Sequence, residues 1–140
     1  MYGILLLFIA IAQAEPTVIT LSCDGTVADT SSTPLPIDRQ PKPVEKMGVV
    51  ANLNERTVSF MGFIAPIALV DAASISFAGE DVGPKVAPGY TQRIDGILDR
   101  VTGHMVADTS TYETKKLSDL NSVIIKDHID VLCKATNRVF

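Results

Sequence analysis

The sequence predicts a small all-β domain whose first and last strands are joined by a disulfide. Three observations carry that reading. Short β-branched and aromatic runs alternate with Gly, Pro, Asn and Asp. No stretch sustains a long helical period. Cys23 and Cys133, the only two cysteines, stand near opposite ends of the chain, behind an apolar leader.

The leader is the apolar run Ile4 to Ile11, followed by the small-x-small site Ala12-Gln13-Ala14 and then by Glu15 and Pro16. This pattern predicts a secretory signal peptide over residues 1–14, cut after Ala14. Its n-region, Met1-Tyr2-Gly3, has no Lys or Arg, so positive charge rests on the terminal amine. The run is well short of the ~20 residues needed to span a bilayer, which predicts no transmembrane segment. Lipidation at Cys23 fits less well, because Thr20 occupies the position where Leu is expected and Glu15 and Pro16 interrupt the apolar stretch. Removing 14 residues from 140 leaves 126, over 15–140, enough for one domain.

Strands are expected near 17–23, 46–53, 56–64, 73–79, 90–98, 104–111 and 123–133. Ile19, Leu21 and Cys23 alternate on one face of the first, and Ile129, Val131 and Cys133 on one face of the last. In an oxidising compartment the two cysteines are then expected to pair. Asn52-Leu53-Asn54-Glu55-Arg56 and Asp99-Arg100-Val101-Thr102-Gly103 read as hairpin turns, the second closed by a left-handed Gly103. Single helical turns are expected at Ala65 to Ala73 and Leu117 to Asn121. Asp24 to Lys46, with four prolines, reads as a long exposed loop, as do Gly79 to Gly89 and Tyr112 to Ser122. Consecutive hairpins make an antiparallel meander, closed into a small barrel or folded as a two-sheet sandwich. The expected core is Ile19, Leu21, Val49, Val58, Phe60, Ile75, Phe77, Ile94, Leu98, Ile129 and Val131.

A formal charge of −4, all of it beyond the leader, argues against nucleic acid and anionic membranes, which reward clustered Lys and Arg. Lys115-Lys116 is too short to reverse that. Mean hydropathy is raised by the leader and does not indicate a membrane protein.

The segments Leu21-Ser22-Cys23-Asp24-Gly25, Asn54-Glu55-Arg56-Thr57, Ile75-Ser76-Phe77, Asp99-Arg100-Val101-Thr102-Gly103 and Leu132-Cys133-Lys134 occur in an order that resembles a group of small exported proteins of rhizobia and related proteobacteria, a group without an assigned activity. The resemblance implies an extracytoplasmic two-cysteine β domain. It implies no catalytic or binding residue.

Candidate chemistry is sparse. In Asp127-His128-Ile129-Asp130, His128 and Asp130 share the face opposite Ile129 and Val131, but a zinc site wants three or four ligands and only His104 remains. The expectation is a solvated strand face with no metal or other cofactor. Asp95, Asp99 and Asp108 are candidates for paired carboxylates, although acids beside hairpins commonly cap turns. No serine sits in Gly-x-Ser-x-Gly. Met61-Gly62-Phe63-Ile64 reads as strand core, or as the lining of a pocket. The predicted function is therefore that of a periplasmic or secreted binding module. Its expected partner is a small apolar ligand inside the scaffold, or an envelope protein held by the loops. The alternative is an inhibitor of a secreted enzyme, or a minor enzyme using His104 or His128 with a nearby acid.

Overall fold

The computed structural model describes residues 17–31, 40–114 and 123–136. Eight strands follow one another: β1 Val18–Asp29, β2 Lys42–Asn52, β3 Thr57–Phe60, β4 Phe63–Val70, β5 Ser74–Glu80, β6 Tyr90–Asp99, β7 His104–Glu113 and β8 Val123–Ala135. Each pairs antiparallel with the next, and β8 returns to β1, so the meander closes into a barrel. The barrel replaces the sandwich alternative.

The seam explains the cysteines. β1 and β8 run in continuous register from Leu21↔Ala135 to Asp29↔Asp127, with Cys23 directly opposite Cys133. The two are bonded, their Cα atoms 4.0 Å apart, and both are buried. Gly25 lies two residues further along this ladder, where a Cβ would stand 2.2 Å from the Asp130 carbonyl oxygen. Only glycine lets β1 pass so close to β8.

Three expectations fail for identifiable reasons. The strand expected over 56–64 is two strands, because Met61 and Gly62 both take positive φ (47° and 81°) and close a two-residue hairpin in which Phe60 faces Phe63. Positive φ at both central residues matches the twist of the flanking strands. The helical turn expected over Ala65 to Ala73 is instead mostly β4, in which Phe63, Ala65 and Ile67 point inward. The loop expected over Asp24 to Lys46 is also partly strand, since β1 continues to Asp29 and β2 begins at Lys42. Pro43 pairs with Thr26 near the strand end, where a missing N–H is least disruptive. Asp24 marks the irregularity: its carboxylate accepts the N–H of Lys46, which has φ 52°, where the register shifts between Cys23 and Gly25. The signal peptide, Lys115-Lys116 and the turn at Leu117 to Asn121 lie outside the described residues.

The 53–56 and 100–103 hairpins form as expected. Asp99 Oδ1 accepts the N–H groups of Val101 and Thr102, and Gly103 takes φ 78°. Every expected core residue is buried except Ile19, which packs partly buried against the cluster. Phe77 is the largest wholly buried side chain, its ring set edge-on to Phe60 at 5.6 Å. Met105, Ala107, Phe63 and Ile67 complete a core that fills the interior, as eight strands allow.

The polarity is apolar inside and mainly polar outside, the reverse of a barrel that spans a membrane with its strands. Among the described residues no helix is long and apolar enough to cross a membrane.

Candidate functional site

Because the interior is packed, chemistry is confined to the outer wall and the two mouths. On the wall, strand register assembles residues far apart in sequence. Ala78 of β5 faces Asp95 of β6, Asp95 faces Asp108 of β7, and Asp108 faces His128 of β8. These four make one row across the sheet. Beside it runs a second row of Ser76, Ile97, Val106 and Asp130, to which Leu69 of β4 adds at the β5 edge.

Both histidines meet an acid on this wall. His128 Nδ1 lies 2.9 Å from Asp108 Oδ1, and His104 Nε2 lies 2.7 Å from Asp130 Oδ1. Facing a carboxylate, each ring nitrogen donates. The side chains are roughly 40–50% exposed, between 38% and 51%, so each pair contributes no more than about 1 kcal/mol to stability. His128 and Asp130, which share a strand face, do not meet each other: His128 takes the acid opposite while Asp130 takes His104. Among the described residues no group of three or more His, Cys, Asp or Glu is placed to hold a metal ion.

The remaining acids separate by role. Asp99 caps its hairpin, and two backbone N–H groups, that of Thr102 foremost, hold its carboxyl below the ordinary range. Asp71 does the same for the β4–β5 turn, mainly through the N–H of Ser74 and then of Ala73. Asp127 shares the inward parity of Ile129 and stands opposite Asp29 at one mouth. Burial first, and the Asp29 charge second, push its carboxyl up, while Lys42 opposes them. Asp95 has no hydrogen-bond or ion-pair partner among the described residues.

The loop expected over Gly79 to Gly89 is exposed over much of its length but is anchored at Asp81 to Gly83. Asp81 N–H reaches the Gln92 carbonyl, Ile64 N–H reaches the Val82 carbonyl, and Val82 packs against the core. Gly83 sits so close to the Phe63 ring and the Gln92 side chain that a Cβ would overlap both. The segment folds back over this mouth. In the Met61 to Ile64 run Phe63 is core, but Met61 and Ile64 face solvent.

Depressions open on the surface of the described residues. One, of about 290 Å³, lies beside Tyr90 and Ile125. Another, of about 220 Å³, lies at the opposite mouth between Ile19, Leu98 and Gly103. Another is an open trough of about 350 Å³ along the two wall rows, lined by Ala68, Ser76, Ala78, Ile97 and Val106 and by Asp95 and Asp108. The sequence analysis missed the trough because its residues come from four strands and meet only through register. Its one available signal was the apolar outward parity of β4.

Comparison with protein-family models, with curated proteins and with solved structures finds no match.

Proposed function

We propose that this chain is an exported, non-enzymatic binding module that meets a protein partner with the outside of its barrel. The observation that carries the reading is the filled interior: Ile75, Phe77, Ile94, Met105 and Ile129 are almost wholly buried in one cluster. An interior occupied by these side chains favours the outer wall over the interior site that a hollow barrel would offer a small apolar ligand. The disulfide fits an oxidising compartment, and with the leader it supports a periplasmic or secreted address.

A native mass spectrum of protein exported and purified without refolding tests this. The expected mass is that of the bare chain beginning at Glu15, with a gain of about 2 Da on reduction. Additional mass lost on denaturation would return the function to an interior ligand, and a retained leader would remove the exported address.

A second reading rests on the His128–Asp108 pair. A carboxylate at Nδ1 leaves Nε2 directed elsewhere, the arrangement a general base uses. Replacing both His104 and His128 separates the readings, since unchanged turnover of any substrate found would eliminate the enzyme.

A further inference from the structure

We propose that the two wall rows form a docking surface for a cationic, amphipathic segment of another protein; the inference rests on the outer-wall binding function above and names its partner. One row carries Leu69, Ser76, Ile97 and Val106 before ending in Asp130, and Leu69 and Ile97 are 58% and 42% exposed. The neighbouring row is acidic over Asp95 and Asp108. Apolar side chains left in water gain by being covered.

The acidic row specifies the charge of what covers them. Asp95 and Asp108 stand directly opposite one another on adjacent strands, an arrangement that costs a sheet stability. His128 donates to Asp108, whereas Asp95 has no such partner. The basic side chains Arg93 and Lys126 lie one row further along, with Arg93 opposite Glu80 and both opposite Ser110. A Lys or Arg arriving from outside would lie between the two carboxylates and relieve their repulsion while its apolar neighbours cover Ile97 and Leu69. From β5 to β8 the rows span roughly 14 Å at the spacing of neighbouring strands. A helical segment of about ten residues has that length.

Other occupants fit less well. An anionic lipid surface would set its headgroups against the acidic row of a chain whose formal charge is already −4. A two-fold contact between copies centred here would set the acidic row against either the acidic or the apolar row of the other copy, and neither supplies a cation.

The probe is a 14-residue Leu/Lys amphipathic helix, titrated into the isotope-labelled mature protein with amide shifts as the readout, and a Leu/Glu counterpart is the control. Saturable shifts are expected at Leu69, Asp95, Ile97 and Val106. Affinity should fall at least tenfold in Asp95→Asn/Asp108→Asn and in Ile97→Ser, and should be unchanged in Glu45→Gln/Glu55→Gln, which removes the same charge from a distant surface. Because the Asn pair removes a repulsion, that variant should melt no lower than the parent, which separates lost binding from lost folding. Equal weakening in both charge variants, shifts centred elsewhere, or no saturable binding would overturn the proposal. So would a concentration-dependent dimer abolished by Ile97→Ser, which assigns the surface to a second copy, or binding to phosphatidylglycerol vesicles blocked by the same substitution. A protein partner whose binding ignores Asp95, Asp108 and Ile97 would remove this surface and leave the binding-module reading standing. A ligand carried in the native mass spectrum would remove the module reading itself.

Discussion

Replacing Cys23 and Cys133 together by alanine tests how the barrel is closed. The cysteines are 110 residues apart, and in the chain-entropy model a loop of that size restricts the unfolded chain by about 4.8 kcal/mol at 25 °C. The folded variant keeps the β1–β8 ladder from Leu21↔Ala135 to Asp29↔Asp127, so it should form the same barrel. With roughly a hundred ordered residues the entropy of unfolding is about 0.2 kcal/mol/K, so the loss corresponds to a fall in Tm of about 20 °C. Thermal and urea unfolding followed by circular dichroism would measure it. The urea m-value should rise, because the uncrosslinked unfolded chain exposes more surface. If Tm falls by less than about 5 °C, while the parent is shown to be oxidised by its mass gain on reduction, the reasoning is refuted: closure would then rest on the ladder and the core alone.

Phe77→Ala removes the largest wholly buried side chain and its edge contact with Phe60, and should cost about 3–5 kcal/mol in urea unfolding; a cost below about 1 kcal/mol would mean the core is not packed as described. Gly25→Val drives a side chain into the β8 backbone at Asp130 and Val131, and should destabilise by about 2–4 kcal/mol with faster amide exchange along β1 and β8 before other strands. Exchange that quickens first at β4 and β5 would contradict that seam geometry. Asp127→Asn tests the acid at the mouth. The Asp127 carboxyl lies above its ordinary value of 3.8, so the folded state holds that proton more tightly than the unfolded state, and this contribution to stability is lost as pH rises from about 4 through the raised value. The Asn variant should match the parent in Tm near pH 3 and exceed it at pH 6, and a pH-independent difference would rule out the titration. Asp71 and Asp99, held low by backbone N–H groups, act oppositely: their stabilisation is present above 3.8 and lost as pH falls through their lowered values.

The fold was legible where one residue type meets one geometry. Gly103 after Asp99 signals a left-handed turn, and the period-two alternation around Cys23 and Cys133 places both sulfurs inward. Legibility failed where tertiary context overrode composition. Met61 in a left-handed conformation has no sequence signal of its own, because a β-branched or long side chain ordinarily avoids that region. Ala65 and Ala68 lower the β-propensity of β4, yet the strand forms because Phe63, Ala65 and Ile67 fill the interior between β3 and β5. The prolines near 41 and 43 suggested a loop, but the β1 ladder recruits that chain as far as Lys42.

The candidate site was legible as residues and illegible as a surface. Asp95, Asp108, His104, His128 and Asp130 each stood out, but which acid meets which histidine depends on the pairing of β7 with β8. A slip of one residue in any hairpin would turn the set to the other face. The β7–β8 register sets Asp108 opposite His128 and Val106 opposite Asp130, which leaves Asp130 to reach diagonally to His104. The β6–β7 register, set by the tight turn at Asp99 to Gly103, then brings Asp95 opposite Asp108 and Ile97 opposite Val106. An acidic row beside an apolar one thus follows from the registers of β6 against β7 and of β7 against β8. A one-residue insertion in the 100–103 turn that shifted β6 against β7 would break both rows at once and would also turn Met105 and Ala107 away from the interior. Such a variant should therefore lose Tm together with peptide binding, and a variant that kept its Tm would show that the turn does not set this register.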